Sequence, residues 1–266
     1  MQNIYITLPF QSSYLISTDC VTLVEKINLF YGPYVHTKKG LADFHIVILK
    51  HESNYIFKSD WGEYQTDCPL IFLDRHRFDN TLYDGKIFAM HGAAVEWAGE
   101  CYLLLSKTGG GKTTLTTYLS NYNFGYLTDD CILLDRDKFD VHPCAMPVHL
   151  RRGGVDILKK HGVFLDNIKF LTDSPWFERY VYDPPLRIEK PIPLRRIFFI
   201  ERTTNKNELI ELSSLHRAKK LLEAPIIPYE MNSEYLKFIS KLVTHDCKVI
   251  RYSDMNFVKE CIINCK

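Results

Sequence analysis

No uninterrupted apolar run in this chain approaches the roughly 20 residues a membrane span needs, so no membrane-spanning helix is expected. Charge of one sign is also missing. Lys and Arg total 33 against 32 Asp and Glu, a formal net charge of +1, which gives no case for a nucleic-acid or polyanion surface. The eight cysteines include no CxxC pair. Cys261 and Cys265 stand closest and make only a weak metal signal, so free thiols in a reducing cytoplasm are expected. The opening MQNIYITLPFQSS has no basic n-region and no long apolar core, so a signal peptide is not expected. No internal repeat or low-complexity tract occurs. What remains is 266 residues, 46% of them hydrophobic: material for a substantial core in one large domain or two small ones.

The chain is organised around SKTGGGKTT, Ser106 to Thr114. It follows the apolar run Cys101–Leu105 and opens a segment that reads as a helix through Leu119, ended at Asn123-Phe124-Gly125. A strand, a Gly-rich turn carrying Lys-Thr and a helix N-terminus make a phosphate cradle. Gly109, Gly110 and Gly111 have no Cβ to block a turn whose amides point inward. The first helical amides are unpaired and the dipole is positive there, which stabilises an anion. Lys107, Thr108, Gly109, Gly110, Gly111, Lys112, Thr113 and Thr114 are the candidate nucleotide-binding residues. Lys112 reaches the outer phosphates and the Thr113 hydroxyl sits on Mg²⁺. The pattern departs from the usual one at Ser106, which stands where glycine is usual.

Asp129 and Asp130 end the next apolar stretch, beside the cradle, before Cys131–Leu134. Two adjacent carboxylates invite a split of roles, one on the metal and one taking a proton from an attacking hydroxyl. His91-Gly92 precedes the strand that leads into the cradle strand; taken alone, such a histidine is more often a core or turn residue.

Elsewhere the sequence carries no catalytic pattern. Residues 1–82 read as a separate small β-rich α+β domain, a candidate for substrate docking, with 83–266 as the catalytic domain. Strands are expected at Ile4–Leu8, Phe44–Leu49, Tyr55–Lys58 and Leu70–Leu73, and a helix at Val21–Phe30 stopped by Gly32-Pro33. The charged run Asp74–Asn80 reads as a solvated connection. Strands are expected again at Ile87–Met90, Ala93–Trp97, Leu194–Glu201 and Val249–Tyr252. Arg151 and Arg152, beside two glycines, fit either a phosphate contact or a solvated loop. Asp173–Pro185 reads as a surface loop that could cover a site. Ser213 or Ser214 is expected to cap a helix through Glu223 with Leu215, Ala218, Leu221 and Leu222 inward, ended by Pro225 and Pro228. Ser233 is expected to cap a second helix through Val243, and Asp254 a terminal one.

From His91 to Asp130 the sequence resembles the catalytic domain of HPr kinase/phosphorylase and its relatives. These include the kinases encoded beside ribosomally made peptides such as lasso peptides, which phosphorylate a precursor serine. An HG dipeptide, a strand, the P-loop and a closing Asp-Asp occur at that family's spacings over about forty residues. The match is weaker through Ile197–Ile200 and the helix after Ser214, and nothing in the first 80 residues resembles the family. The resemblance implies an α/β fold with a P-loop core of the phosphoenolpyruvate-carboxykinase type. It implies ATP and Mg²⁺ as cofactors, with Lys112 and Thr113 in the P-loop, Asp130 as proton acceptor, Asp129 on the metal side and His91 near the transferred phosphate.

One departure is chemical. The bifunctional enzymes carry a Glu before an Arg-Gly stretch, and here His149-Leu-Arg-Arg-Gly153 has none. By that resemblance neither phosphorylase activity nor the second metal contact is expected, and this departure together with Ser106 favours a peptide-tailoring relative. The expected activity is transfer of the ATP γ-phosphate to a serine of a precursor peptide. An HPr-type protein kinase, a small-molecule alcohol kinase and a non-catalytic nucleotide-binding regulator stay open. The partner is a peptide or protein bearing a serine, with neither nucleic acid nor membrane, and homo-oligomerisation is left open.

Overall fold

The computed structural model describes residues 1–37, 40–79, 86–224 and 232–264. The chain is α/β with mixed sheets. Its elements run β1 (Gln2–Thr7), β2 (Ser13–Thr18), α1 (Val21–Tyr31), β3 (Val35–His36), β4 (Phe44–His51), β5 (Asn54–Ser59), β6 (Gly62–Thr66) and α2 (Pro69–Asp79). There follow β7 (Ile87–His91), β8 (Ala93–Trp97), β9 (Glu100–Leu105), α3 (Lys112–Ser120), β10 (Gly125–Thr128), β11 (Cys131–Asp135) and β12 (Asp140–His142). The remainder is β13 (Val148–Leu150), α4 (Arg152–Lys160), β14 (Lys169–Ser174), β15 (Phe177–Tyr182), β16 (Ile192–Arg202), β17 (Glu208–Glu211), α5 (Ser214–Leu222), α6 (Ser233–Leu242), β18 (Asp246–Tyr252) and α7 (Met255–Ile263).

These elements form two compact units. The first comprises Met1–Asp84 with Met146–Val155 and Leu165–Asp183; the second comprises Gly85–Ala145, Asp156–Phe164 and Pro184–Lys266. A single cut near residue 82 leaves those two later segments with the second unit, because sequence order does not reveal that they pack with the first.

In the first unit a six-stranded sheet is ordered β3-β1-β2-β4-β5-β6. β2 and β4 are parallel, joined through α1, and the other neighbours are antiparallel. Alternating residues such as Ile4, Ile6, Ile46 and Ile48 are buried, the period-2 signature of a half-buried sheet. Leu23 and Ile27 of α1 are also buried, one helical turn apart. A three-stranded sheet, β13-β15-β14, completes the unit.

Three expectations fail in this unit. Leu70–Leu73 is not a strand but the start of α2, with Pro69 at its first position, where proline's missing N–H costs nothing. Leu70, Leu73 and Arg77 are buried on one helical face, and a four-residue apolar run does not separate strand from helix. The charged run is therefore no solvated connection over 74–79; Asn80 lies outside the described residues. Buried Arg77 donates to Asp74 (2.7 and 3.0 Å) and to Gln11 (2.6 Å), while buried His76 pairs with Asp60 at 2.6 Å. Asp173–Pro185 is no surface loop either, since β14 and β15 form a hairpin over it.

In the second unit the largest sheet runs β10-β8-β9-β16-β12-β11-β7, with β18 beside β16 and β17 beside β18. β16 is parallel to both β9 and β18. In register, Phe199 lies opposite Leu105 and Arg202 opposite Tyr252, so these strands end at the same edge of the sheet. β7 and β11 are buried along almost their whole length, which explains why both read as continuous apolar runs. Phe88, Met90, Leu103, Leu105, Ile132, Ile197 and Phe238 pack in one core.

The caps mark where the remaining expectations hold or fail. Ser213 Oγ accepts from the His216 amide and Asp254 from the Asn256 amide, as expected. The cap of α6 is Asn232, whose side chain accepts from the Tyr235 amide at 2.9 Å, so Ser233 is the first helical residue instead. Leu215 is 78% exposed; at the first turn of α5 it misses the inward face that Leu221 takes. Pro225 and Pro228 lie outside the described residues. No helix among the described residues is long and apolar enough to cross a membrane.

Candidate functional site

The candidate site is built at the edge where β9, β16 and β18 end. In sheets with parallel strands, ligands bind outside the carboxyl ends of the strands. β9 is buried along its length except for half-buried Glu100, and at Leu105 it passes into the turn 106–111. Gly109 and Gly111 take φ of +80° and +91°, the left-handed region that glycine enters without strain. At Gly110 the constraint is space, because a Cβ there would lie 2.8 Å from Ser106 Cβ and 3.0 Å from the Lys107 carbonyl oxygen. The serine at 106 thus makes glycine necessary at 110.

Gly111 caps α3 without any side-chain hydrogen bond. Leu115 N–H donates to the Gly111 carbonyl at 2.9 Å, so the helical ladder starts there. Among the described residues nothing accepts from the backbone amides of Lys112, Thr113 or Thr114. Unpaired helix N-terminal donors of this kind, with the helix dipole, favour a negative charge. Thr108, by contrast, is exposed.

Lys112 is 6% exposed. Its Nζ donates to the Ser106 carbonyl at 2.9 Å and approaches the Lys107 carbonyl at 3.5 Å, folding the side chain over the turn. Burial pulls its ammonium below the ordinary lysine value, opposed by the carboxylates of Asp130 and Asp129. The cation is thus partly desolvated and has acidic neighbours.

β10 sets the two aspartates. Thr128 Oγ1 accepts from the amides of Asp130 (3.4 Å) and Cys131 (3.2 Å), a hydroxyl-closed turn that aims successive side chains apart. Asp129 turns inward. Tyr126 donates its hydroxyl to Asp129 Oδ1 at 2.9 Å, and the Thr113 hydroxyl lies near enough to lower the carboxyl's pKa. Burial, then Asp130's charge, push the Asp129 carboxyl up to about 6, against the opposing effect of the Tyr126 and Thr113 hydroxyls. Asp130 turns outward to His91, with Nδ1 and Oδ1 3.1 Å apart and the side chains 37% and 57% exposed.

His91 is the last residue of β7 and pairs with Cys131 across β11. Its amide donates to the Ala224 carbonyl at 2.7 Å, and the Gly92 amide donates to the Asp130 carbonyl at 3.2 Å. A Cβ on Gly92 would lie 2.6 Å from Ile132 Cδ1 and 3.2 Å from the Leu104 carbonyl oxygen, so a larger residue here would have to push the Leu105 and Ile132 side chains aside.

The fold thus gathers His91, Lys112, Thr113, Asp129 and Asp130 in one unit. Arg151 and Arg152 are exposed at the start of α4 and belong to the first unit. Among the described residues no group of three or more His, Cys, Asp or Glu side chains converges on a metal position. Thr113 and Asp129 nevertheless fit Mg²⁺ by chemistry. They are two adjacent hard oxygen donors, and Mg²⁺ commonly takes one or two protein oxygens and fills its octahedron with phosphate and water. Tyr126, which holds Asp129, was not singled out in the sequence; a tyrosine within a buried strand gives no signal of its partner. No protein-family model matches this sequence, and no curated protein matches it.

Proposed function

We propose that this chain is an ATP-dependent kinase that transfers the γ-phosphate to a serine hydroxyl of a peptide, in the reading favoured by the motif set a ribosomally made precursor. The second unit then supplies a P-loop core of the HPr-kinase type. The observation that carries this reading is the Asp130 carboxylate, 3.1 Å from His91, in the field of a lysine folded over a glycine-rich turn. A nucleotide-binding module without chemistry has no use for the outward carboxylate, whereas phosphoryl transfer needs a proton acceptor beside the phosphates.

In this reading the amides of 112–114 and Lys112 hold the phosphates. Thr113 and Asp129 hold Mg²⁺, which when bound neutralises phosphate charge. Asp130 accepts the serine proton as the hydroxyl attacks, and His91 orients that carboxylate. Most of the rate enhancement comes from positioning and electrostatics.

The test is intact-mass spectrometry of a precursor peptide encoded in the same gene neighbourhood, incubated with the protein, ATP and Mg²⁺, with an HPr-type protein as control acceptor. A gain of roughly 80 Da on the peptide, the mass of one phosphoryl group, lost with Asp130→Asn, is expected. Transfer to the control alone would reassign the acceptor to an HPr-type protein. No transfer to either, with ATP still bound, would leave a small-molecule kinase or a silent nucleotide sensor.

A further inference from the structure

Tyr252 ends β18, far along the chain from the glycine-rich turn, yet it abuts that turn. A Cβ placed on Gly111 would lie 3.0 Å from the Tyr252 hydroxyl. Gly111 is therefore hemmed in twice, by its φ of +91° and by this phenol. Register brings the tyrosine there: β9, β16 and β18 are neighbours in parallel, and Tyr252 lies opposite Arg202 at the strand ends.

The residue is 3% exposed, and its carbonyl accepts from Thr203 N–H at 2.8 Å. Its hydroxyl makes no hydrogen bond with any described residue. Two other tyrosines near the turn are engaged: Tyr126 donates to Asp129, and Tyr118 packs on Tyr122 at a ring distance of 4.7 Å. A phenylalanine at 252 would fill the same volume, so packing alone does not account for a hydroxyl at the end of a 3% exposed side chain with no partner among the described residues, and such a group is normally given one. Burial pushes the phenol up to about 12, so it carries its proton at neutral pH and acts as a donor. It thus joins the backbone amides of 112–114 as a further donor without an acceptor among the described residues beside the turn.

We propose that Tyr252 is a phosphate-binding residue whose hydroxyl donates to an oxygen of the polyphosphate chain beside Gly111. The proposal rests on the phosphate-cradle reading above and adds to it a side-chain donor from the distant end of the sequence. The recognised chemistry is the polyphosphate, not the base or ribose, because the hydroxyl is directed at the glycine turn that wraps phosphates.

The experiment is calorimetric titration of wild type, Tyr252→Phe and Lys112→Ala with ADP and with inorganic pyrophosphate, each with Mg²⁺. Thermal denaturation of the ligand-free proteins checks the fold. Tyr252→Phe keeps the ring and should melt with wild type. Loss of one hydrogen bond to a charged acceptor should weaken ADP and pyrophosphate by the same factor, on the order of tenfold. Unchanged affinity for both would overturn the proposal while Lys112→Ala still showed the cradle at work. A loss for ADP with none for pyrophosphate would overturn it too, because the hydroxyl would then serve the nucleoside. If wild type bound neither ligand, the cradle reading itself would fall and this role with it.

Discussion

His91 Nδ1 and Asp130 Oδ1 lie 3.1 Å apart, and the backbone fixes that distance. Gly92 N–H donates to the Asp130 carbonyl, His91 N–H is anchored on Ala224, and His91 sits opposite Cys131 in the β7–β11 ladder. In the proposed kinase reading, Asp130 is the base and His91 the neighbour that orients it. Asp130→Asn should therefore cut turnover by roughly 10²–10⁴-fold, the range for a general base, with ATP affinity near wild type. His91→Ala, which removes only the orienting partner, should cost roughly 10²-fold in turnover. Single-turnover transfer measured beside nucleotide titration checks both; wild-type turnover in Asp130→Asn would remove the assigned base.

Lys112 spans its own turn, from the helix start to the Ser106 carbonyl at 2.9 Å. Lys112→Ala should weaken ATP binding by roughly 10- to 100-fold, as expected for charge-assisted hydrogen bonds lost. The fold should survive, because the remaining turn is held by Gly110 N–H donating to Lys107 at 3.0 Å. Isothermal titration reads the affinity and circular dichroism the fold; an unaltered ATP affinity would count against the cradle.

The local part of this site was legible because its signals are contiguous. An apolar strand, three glycines, Lys-Thr and a helix lie within twenty residues, and the Asp-Asp pair closes the next strand. What was not legible depends on residues brought together from far apart. Tyr252 meets Gly111 through strand register, and Tyr126 meets Asp129 through a buried face. In the first unit the polar strands Ser13–Thr18 and Gly62–Thr66 carry little hydrophobic contrast and escape a periodicity reading. α2 does so for another reason: its apolar run is four residues long, and its buried Arg77 and His76 are satisfied by Asp74 in the same helix and by Gln11 and Asp60 from distant turns.

Asp129 carries a pH signature. Its carboxyl is pushed up to about 6 in the fold, against about 3.9 when unfolded. Between those values the native chain holds a proton that the unfolded chain has released. Stability from this group is therefore greatest at acid pH and falls as pH rises from about 4 to about 6. The loss is on the order of 1–2 kcal/mol, allowing for partial solvation of the carboxylate. Urea denaturation in chelator at pH 4.5 and 7, compared with Asp129→Asn, should show the slope in wild type alone. Mg²⁺ requires the ionised carboxylate, so with ADP present it should stabilise wild type more at pH 7 than at pH 5. Equal Mg²⁺ stabilisation at both would take Asp129 out of the metal site.

Asp173 illustrates how a residue that reads as loop can hold a unit together. Its side chain is fully buried, and it accepts from Lys26 Nζ at 3.3 Å, Cys68 Sγ at 3.1 Å and the Leu70 amide at 2.8 Å. One carboxylate from the β14–β15 hairpin thus ties α1 and the start of α2. Burial, reinforced by the hydrogen bond to Asp173, pushes the Cys68 thiol up to about 12, so the thiol stays protonated and remains a donor. Asp173→Ala leaves an ammonium, a thiol and a backbone amide without their acceptor and should cost about 3–5 kcal/mol, the range for breaking a buried ion pair from one side. Asp173→Asn retains an accepting oxygen and should cost less, about 1–3 kcal/mol. Chemical denaturation of the full chain orders the two variants. A wild-type midpoint for Asp173→Ala would mean that the three donors find water or new acceptors, and that the hairpin is held by its apolar face alone.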